Sequence, residues 1–88
     1  MEFKQLEMFV AMAEERNMMR AAERVFRTQP AVSMAVAKLE EEFGSSLFHR
    51  SRQCGFQLTA AGQVLRDYAK RMLALRDEAA QVVMEKMR

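Results

Sequence analysis

The stretch from Ala21 to Gly44, AAERVFRTQPAVSMAVAKLEEEFG, decides the fold of this 88-residue chain. Within it, Thr28 is a plausible helix N-cap, and Pro30 suits a first helical turn because its missing N–H needs no partner there. Apolar residues then recur every three or four positions, and Gly44 is typical of the residue that ends a helix. The pattern predicts a helix over about Gln29–Phe43, which follows an earlier helix after a short turn.

Two amphipathic segments precede that helix. Apolar residues at helical spacing predict a first helix over about Glu2–Glu15. Asn17 can cap a second, short helix over about Met18–Phe26. Its paired alanines, Ala21 and Ala22, would let another helix approach closely, although alanine is also simply a good helix former. The first half of the chain is therefore predicted to hold three helices.

Two short apolar segments follow Gly44, and a polar turn separates them. Leu47–Arg50 and Phe56–Thr59 are predicted strands of a small hairpin with a basic tip. A long helix over about Ala60–Met87 completes the chain. The sequence thus predicts a mainly α fold, a winged helix-turn-helix made of a three-helix core and a β-hairpin wing, followed by a long helix.

The last helix, capped by Thr59, is too long to bury all its apolar surface on so small a body. A chain of this size buries only about 60–65% of its unfolded surface, so a second copy or an attached domain would stabilise it. We therefore divide the chain into residues 1–58, the winged domain, and residues 59–88, a long helix predicted to pair with a partner. The residues predicted to pair two such helices are Leu65, Tyr68, Ala69, Met72, Leu73, Leu75, Ala79, Ala80 and Val83.

Composition excludes several classes of protein. Half of the residues are hydrophobic, which rules out a disordered tail, and no apolar run approaches the ~20 residues of a membrane span. The N-terminus lacks the features of a secretion signal or transit peptide, so we expect a cytoplasmic protein. One cysteine, Cys54, and one histidine, His49, allow neither an internal disulfide nor a zinc site built of Cys and His. No catalytic constellation or phosphate loop is present, and we predict no enzyme.

Charge is distributed unevenly along the chain. Residues 1–15 carry a net charge of −3, residues 16–52 carry +3 and residues 53–88 carry +2. A basic middle segment suits a face that meets a polyanion, and it also fits an ordinary solvated surface. The basic residues of this segment are Arg16, Arg20, Arg24, Arg27, Lys38, Arg50 and Arg52.

Five motifs follow one another in fixed order between Ala21 and Gly62. They are Ala21-Ala22-Glu23-Arg24-Val25, Thr28-Gln29-Pro30-Ala31-Val32-Ser33, Lys38-Leu39-Glu40-Glu41-Glu42-Phe43-Gly44, Leu47-Phe48-His49-Arg50 and Leu58-Thr59-Ala60-Ala61-Gly62. In order and spacing the chain resembles the N-terminal DNA-binding domain of LysR-type bacterial transcriptional regulators. The resemblance implies sequence-specific binding of double-stranded DNA by a homodimer on an interrupted inverted repeat with a T and an A at its edges.

The resemblance also gives the long helix a role. In that family it is a linker helix that pairs two subunits and leads to a C-terminal effector-binding domain. We therefore expect this chain to be part of a longer regulator, which the family commonly assembles as a tetramer. A small-molecule effector would bind the absent domain, and no cofactor is expected in this chain.

The third helix is predicted to read the major groove, which requires short side chains carrying donors or acceptors. Gln29 and Ser33 meet this requirement, and by the family pattern Gln29, Pro30, Ser33 and the residue at position 34 lie at the base edges or the neighbouring backbone. The family often has a polar residue at position 34, whereas Met34 offers only apolar contact, such as contact with a thymine methyl. Lys38, one turn further, is predicted to neutralise a phosphate.

Other candidate contacts flank the third helix. Thr28 can place its hydroxyl and the nearby free amides on a phosphate, or serve only as a cap. Arg27 replaces a small apolar residue of the family and must reach solvent or phosphate. In the hairpin, Arg50 and Arg52 are candidates for contacts with the DNA backbone or minor groove. Arg50 has an equally plausible structural role, an ion pair with Glu40–Glu42.

A second hypothesis comes from a different functional class. The last helix could pair with a protein partner while the basic face remains incidental, which would make the chain a protein-interaction module. The acidic start and the modest net charge of +2 are compatible with this alternative.

Overall fold

A computed structural model describes residues 1–87 of the chain. The elements are α1 (Phe3–Glu15), α2 (Met18–Arg24), α3 (Gln29–Phe43), β1 (Phe48–Ser51), β2 (Gly55–Leu58) and α4 (Ala60–Lys86). The two strands form an antiparallel hairpin. The predicted element order and the winged helix-turn-helix architecture are confirmed. Arg88, the last residue of the predicted linker segment, lies outside the described residues.

Side-chain caps fix where three of the helices begin. The Asn17 Oδ1 accepts a hydrogen bond from the Arg20 amide at 3.0 Å. The Thr28 Oγ1 accepts one from the Ala31 amide at 3.2 Å, and the Thr59 Oγ1 accepts one from the Gly62 amide at 3.1 Å. All three caps are those that the sequence predicts, and each satisfies a backbone N–H that has no partner within its helix.

The core consists of two adjoining apolar clusters that both pack on α1. Phe9 and Leu39 belong to the cluster next to α4, whereas Ala22 and Val36 belong to the cluster between α2 and α3. Phe48 packs against both, and its ring centroid lies 5.4 Å from that of Phe9. The hairpin is therefore attached to the helical core through its inward-facing aromatic side chains.

The turn between α2 and α3 differs from the prediction. Helix α2 ends at Arg24, two residues before the predicted end at Phe26, and Phe26 is 93% exposed. The Phe26 backbone is left-handed, with φ of 56°, and the Arg27 amide donates to the Ala22 carbonyl at 3.0 Å. This closure of the helix rotates residue 26 away from the core.

The hairpin and the end of α3 also differ in detail. Strand β1 begins and ends one residue later than predicted, and strand β2 begins and ends one residue earlier. Leu47 and Thr59 therefore lie outside the strands, where Leu47 is buried in the core and its carbonyl accepts a hydrogen bond from the Thr59 amide at 3.0 Å. Phe43, predicted on the buried face of α3, is exposed at the end of that helix. A Cβ on Gly62 would collide with the Leu47 carbonyl, so the start of α4 lies directly against the hairpin.

Helix α4 packs antiparallel along α1 and then extends beyond it. The Lys70 Nζ lies 2.8 Å from a Glu14 carboxylate oxygen, and further along α4 Arg76 pairs with Glu7 near the start of α1. From Asp77 onward every described residue of α4 is exposed. The molecule is accordingly 52 Å long and about half as wide. The division at residue 58 stays a prediction, since the first half of α4 packs on the winged domain.

Candidate nucleic-acid interface

Helix α3 has one buried face and one fully exposed face. Its buried residues are Val32, Ala35, Val36 and Leu39. The opposite face carries residues that the sequence analysis assigned to base or phosphate contacts, namely Gln29, Pro30, Ser33, Met34 and Lys38, and all of them are exposed. The structure thus brings these five predicted residues together on one surface, which we call the α3 face.

A shallow concavity adjoins the α3 face. It has a volume of about 560 Å³ and is lined by Met18 of α2 and by Gln29, Pro30 and Ser33 of α3. Met19, the next residue of α2, is also exposed. These two methionines could not be selected from the sequence, because nothing in a short amphipathic helix distinguishes a methionine facing a groove from one facing the core.

The arginines near the helix-turn-helix segment fall into two groups. Arg27 is exposed, as expected for a charged residue at a position that is usually apolar. Arg24 is ion-paired, 2.6 Å from a Glu14 oxygen and 3.3 Å from a Glu15 oxygen. The hydrogen bond to Glu14 raises the pKa of Arg24. Arg24 therefore links α2 to α1, and its charge is neutralised locally.

The hairpin presents two arginines without carboxylate partners among residues 1–87. Arg52 lies in the exposed turn, and the Arg50 guanidinium lies over the Phe56 ring, 5.4 Å from its centroid. The predicted ion pair between Arg50 and Glu40–Glu42 does not form. Glu40 instead accepts a hydrogen bond from the Leu47 amide at 2.8 Å, and Glu42 lies 2.8 Å from the N-terminal amine of Met1.

The residues predicted to pair two copies of α4 separate into three groups. Tyr68, Leu75, Ala79, Ala80 and Val83 are exposed. Leu65, Met72 and Leu73 are half-buried against the core of their own chain. Ala69 has 0% exposure and packs in that core, so its assignment to a dimer contact is corrected. Val64, which the sequence analysis did not select, is exposed one turn before Tyr68.

An apolar groove runs beside the first half of α4. It has a volume of about 510 Å³, and Phe43, Val64 and Tyr68 form part of its wall. The groove adjoins the exposed residues of α4, so the apolar surface available to a partner is larger than the helix alone.

Two further properties limit the chemistry of the described residues. Within residues 1–87, no helix combines the length and the apolar character that a membrane crossing needs. Over the same residues, no three His, Cys, Asp or Glu side chains gather in an arrangement that could hold a metal ion.

Comparison with known proteins identifies the family. The sequence pattern described as "Bacterial regulatory helix-turn-helix protein, lysR family" matches residues 3–63. The chain belongs to the lysR family. The resemblance drawn from the sequence motifs is thereby confirmed, and the matched range contains α1, α2, α3 and the hairpin.

Relatives of this lysR-family chain are transcriptional regulators. The HTH-type transcriptional regulator TfdS of Cupriavidus pinatubonensis (strain JMP 134 / LMG 1197) is 48% identical over 75 residues, which cover 85% of this chain and 25% of TfdS. The HTH-type transcriptional regulator BudR of Klebsiella aerogenes is 43% identical over 79 residues, covering 90% of this chain and 54% of BudR. The chain therefore spans a quarter of TfdS and about half of BudR.

Solved structures of lysR-family proteins share the fold. The chain in the crystal structure of the CbnR_DBD-DNA complex superposes with a TM-score of 0.90 at 38% identity, with all of both chains covered. In the BenM_DBD/catB site 1 DNA complex the TM-score is also 0.90, at 30% identity, covering 97% of this chain and 93% of the other.

Proposed function

We propose that this lysR-family domain binds double-stranded DNA sequence-specifically, as the DNA-binding domain of a bacterial transcriptional regulator. The α3 face carries the proposal, because it combines exposed polar side chains with a buried opposite side that holds the helix rigidly. A helix presented in this way can enter the major groove, where each base pair has its own pattern of donors and acceptors. The likeness to the CbnR_DBD-DNA complex supports the same interpretation.

We assign base contacts to the first two turns of α3. The carboxamide of Gln29 can pair with adenine through N6 and N7, and the Ser33 hydroxyl can donate or accept one turn later. Pro30 lies between them in the first turn of α3, where its missing N–H needs no helical partner. Met34 contributes an apolar contact. Direct readout is therefore concentrated at the N-terminal end of the helix.

Contacts with phosphates are assigned to residues around that centre. Lys38 follows one turn after Met34, and Thr28 lies at the helix N-terminus, where free backbone amides favour an anion. Arg27, Arg50 and Arg52 extend the basic surface to the turn and the hairpin. The Arg50 guanidinium is held over the Phe56 ring, which leaves its N–H groups available for the DNA backbone.

The assembly of the whole protein is part of the proposal. We infer a homodimer paired through the exposed face of α4, which would place two α3 helices in successive major grooves of an interrupted inverted repeat about one turn apart. A longer regulator would add an effector domain and could form a tetramer. We further propose that the protein acts in the cytoplasm, has no enzymatic activity and needs no cofactor in this domain.

A fluorescence-anisotropy titration tests the function directly. The domain is titrated against a family-type inverted repeat with T and A edges and against a scrambled duplex, each at several salt concentrations. Tighter, salt-dependent binding to the repeat is expected. Equal weak binding to both duplexes would contradict specific readout of this repeat, and no binding to either would favour the protein-interaction module that pairs through α4.

A further inference from the structure

We propose that a second basic concavity, formed by the end of α1, strand β2 and the start of α4, binds a phosphate of the DNA backbone outside the α3 face. It has a volume of about 240 Å³ and is lined by Ala13, Arg16, Gln57, Leu58, Gln63 and Arg66. This assignment rests on the proposed function and extends it to a surface that the sequence motifs did not single out. We call this surface the Arg16–Arg66 pocket.

The backbone fixes the position of Arg16 in the pocket. Arg16 caps α1 in the left-handed conformation, with φ of 58°, and its amide donates to the Met12 carbonyl at 2.9 Å. Its own carbonyl accepts a hydrogen bond from the Phe56 amide of β2 at 3.3 Å. Arg16 is therefore held beside Gln57, and the pocket wall is built from elements whose relative positions are set by hydrogen bonds.

The two arginines keep donors available for an anion. Within residues 1–87 Arg16 makes no ion pair, and Arg66 uses only its Nε, which donates to Asp67 at 3.3 Å. An exposed ion pair of this kind contributes little to folding stability. It also leaves both terminal amino groups of Arg66 without a hydrogen-bond partner among residues 1–87. Guanidinium groups bind phosphate through paired N–H donors. The remaining polar lining consists of carboxamides, so no carboxylate of the lining opposes an anion.

Three basic residues that pack α4 and α2 on α1 contrast with this pair. Arg24 and Arg76 are each held by two carboxylates, and Lys70 lies against Glu14. Those cations stabilise helix packing and have their charge neutralised locally. Arg16 and Arg66 instead face one concavity with no comparable neutralisation, which favours an external anionic partner.

The hairpin indicates that the anion comes from DNA. Because side chains alternate along a strand, Gln57 lies on the opposite face of the hairpin from Phe56 and Arg50. His49, its partner across the ladder, is on the same side as Gln57. A duplex contacted by the hairpin would thus meet Arg50 on one face of the wing and, beside Gln57 on the other, the arginines of the Arg16–Arg66 pocket, which would take a phosphate of the flanking duplex.

The test compares salt dependence among charge variants. We expect Arg16→Gln and Arg66→Gln each to lower the slope of log K against log salt by about one unit on a duplex with long flanks, without changing preference for the specific site. Arg16→Lys, which keeps the charge, should retain the slope. The matched control is Arg71→Gln, since Arg71 is an exposed α4 arginine over the Tyr68 ring. Wild-type slopes for both glutamine variants would overturn the proposal.

Two further measurements separate the possible sources of the anion. Trimming the duplex flanks should abolish the slope difference between wild type and the glutamine variants, and a difference that persists would overturn the flanking position. Titration with inorganic phosphate, followed through the arginine Nε–H signals by NMR, detects the pocket without DNA. Failure of the wild-type domain to bind any duplex would overturn the proposed function, whereas phosphate shifts confined to Arg16 and Arg66 would still support an anion site.

Discussion

Gly55 of the hairpin lies so close to Arg16 that a Cβ built on Gly55 would be 2.5 Å from the Arg16 carbonyl oxygen. That carbonyl also accepts the Phe56 amide, so the hairpin is attached to the end of α1 by one short stretch of backbone. The wing and the Arg16–Arg66 pocket both depend on this approach. A residue with a side chain at position 55 would have to displace the backbone of α1 or of β2.

We expect Gly55→Ala to destabilise the domain by at least about 2 kcal/mol, because strain in a left-handed residue adds to a collision with backbone. Gly44→Ala is a matched control. Gly44 also has a positive φ, of 63°, but nothing lies within 4 Å of its added Cβ, so only about 1 kcal/mol should be lost. Urea unfolding of both variants measures the difference, and equal losses would contradict the close approach.

Glu14 joins three helices, and its contribution to stability should depend on pH. Its hydrogen bonds with Lys70 and then Arg24 lower the pKa of Glu14. A carboxylate with a lowered folded-state pKa stabilises the protein above its unfolded-state pKa of about 4.3, and this contribution is lost as pH falls through the folded-state value. Glu14→Gln should therefore lower the free energy of unfolding by up to about 1 kcal/mol near neutral pH. Below the folded-state pKa of Glu14 the substitution should have no effect on stability.

Thermal or urea unfolding of Glu14→Gln and wild type from neutral pH to pH 3 checks this dependence. Glu78→Gln is the control, because Glu78 is exposed on α4 and makes no ion pair among residues 1–87. If the Glu14→Gln deficit stayed constant down to pH 3, the cause would be lost packing rather than lost charge.

Local sequence signals predicted most of the fold, and tertiary context decided what they missed. Thr28, Pro30 and Gly44 predicted both ends of α3, because caps and backbone-restricted residues act within a few positions of the chain. Phe26 fits the helical period of α2, yet the left-handed turn places it in solvent. Ala69 was assigned to the dimer contact, because one apolar stripe on α4 serves both the core and an outer surface.

The candidate site was predictable to a similar extent and for similar reasons. The α3 face follows from one helical period, so its residues could be selected from sequence. The ion pairs of Arg24 with α1 and the meeting of Arg16 with Arg66 depend on elements far apart in the chain. Periodicity within one element carries no information about such contacts.

Replacing Gln29 should affect specific binding selectively. Gln29→Ala would remove the proposed bidentate base contact, so the affinity for the specific repeat should fall by about 1–3 kcal/mol while the affinity for random duplex stays unchanged. Lys38→Ala provides the contrast, because a lost phosphate contact weakens binding to all sequences and lowers the salt slope by about one unit. Anisotropy on both duplexes distinguishes the two, and an equal loss on random DNA would refute base reading by Gln29.

Met34 should make the domain sensitive to a thymine methyl group. Met34 is 59% exposed on the α3 face and can bury that methyl. Once a specific site has been selected from random duplexes, replacing the contacted thymine by deoxyuridine should weaken wild-type binding by about fourfold, the equivalent of about 0.8 kcal/mol for one buried methyl-sized group. Met34→Ala should be insensitive to the same replacement. If replacing thymine by deoxyuridine left the affinity of the wild type unchanged at every position of the site, Met34 would have no role in base readout.

The projecting half of α4 should control self-association. Val83 is 56% exposed beyond the end of α1 and belongs to neither core cluster of residues 1–87, so Val83→Glu should leave the monomer fold intact while placing a charge in the proposed dimer contact. Glu78→Lys, a charge change on another face of the same helix, is the control. Sedimentation velocity should show dimers for wild type and Glu78→Lys and a shift toward monomer for Val83→Glu. Identical sedimentation of all three proteins would refute pairing through this face, because a buried glutamate in an apolar helix contact cannot be accommodated without cost.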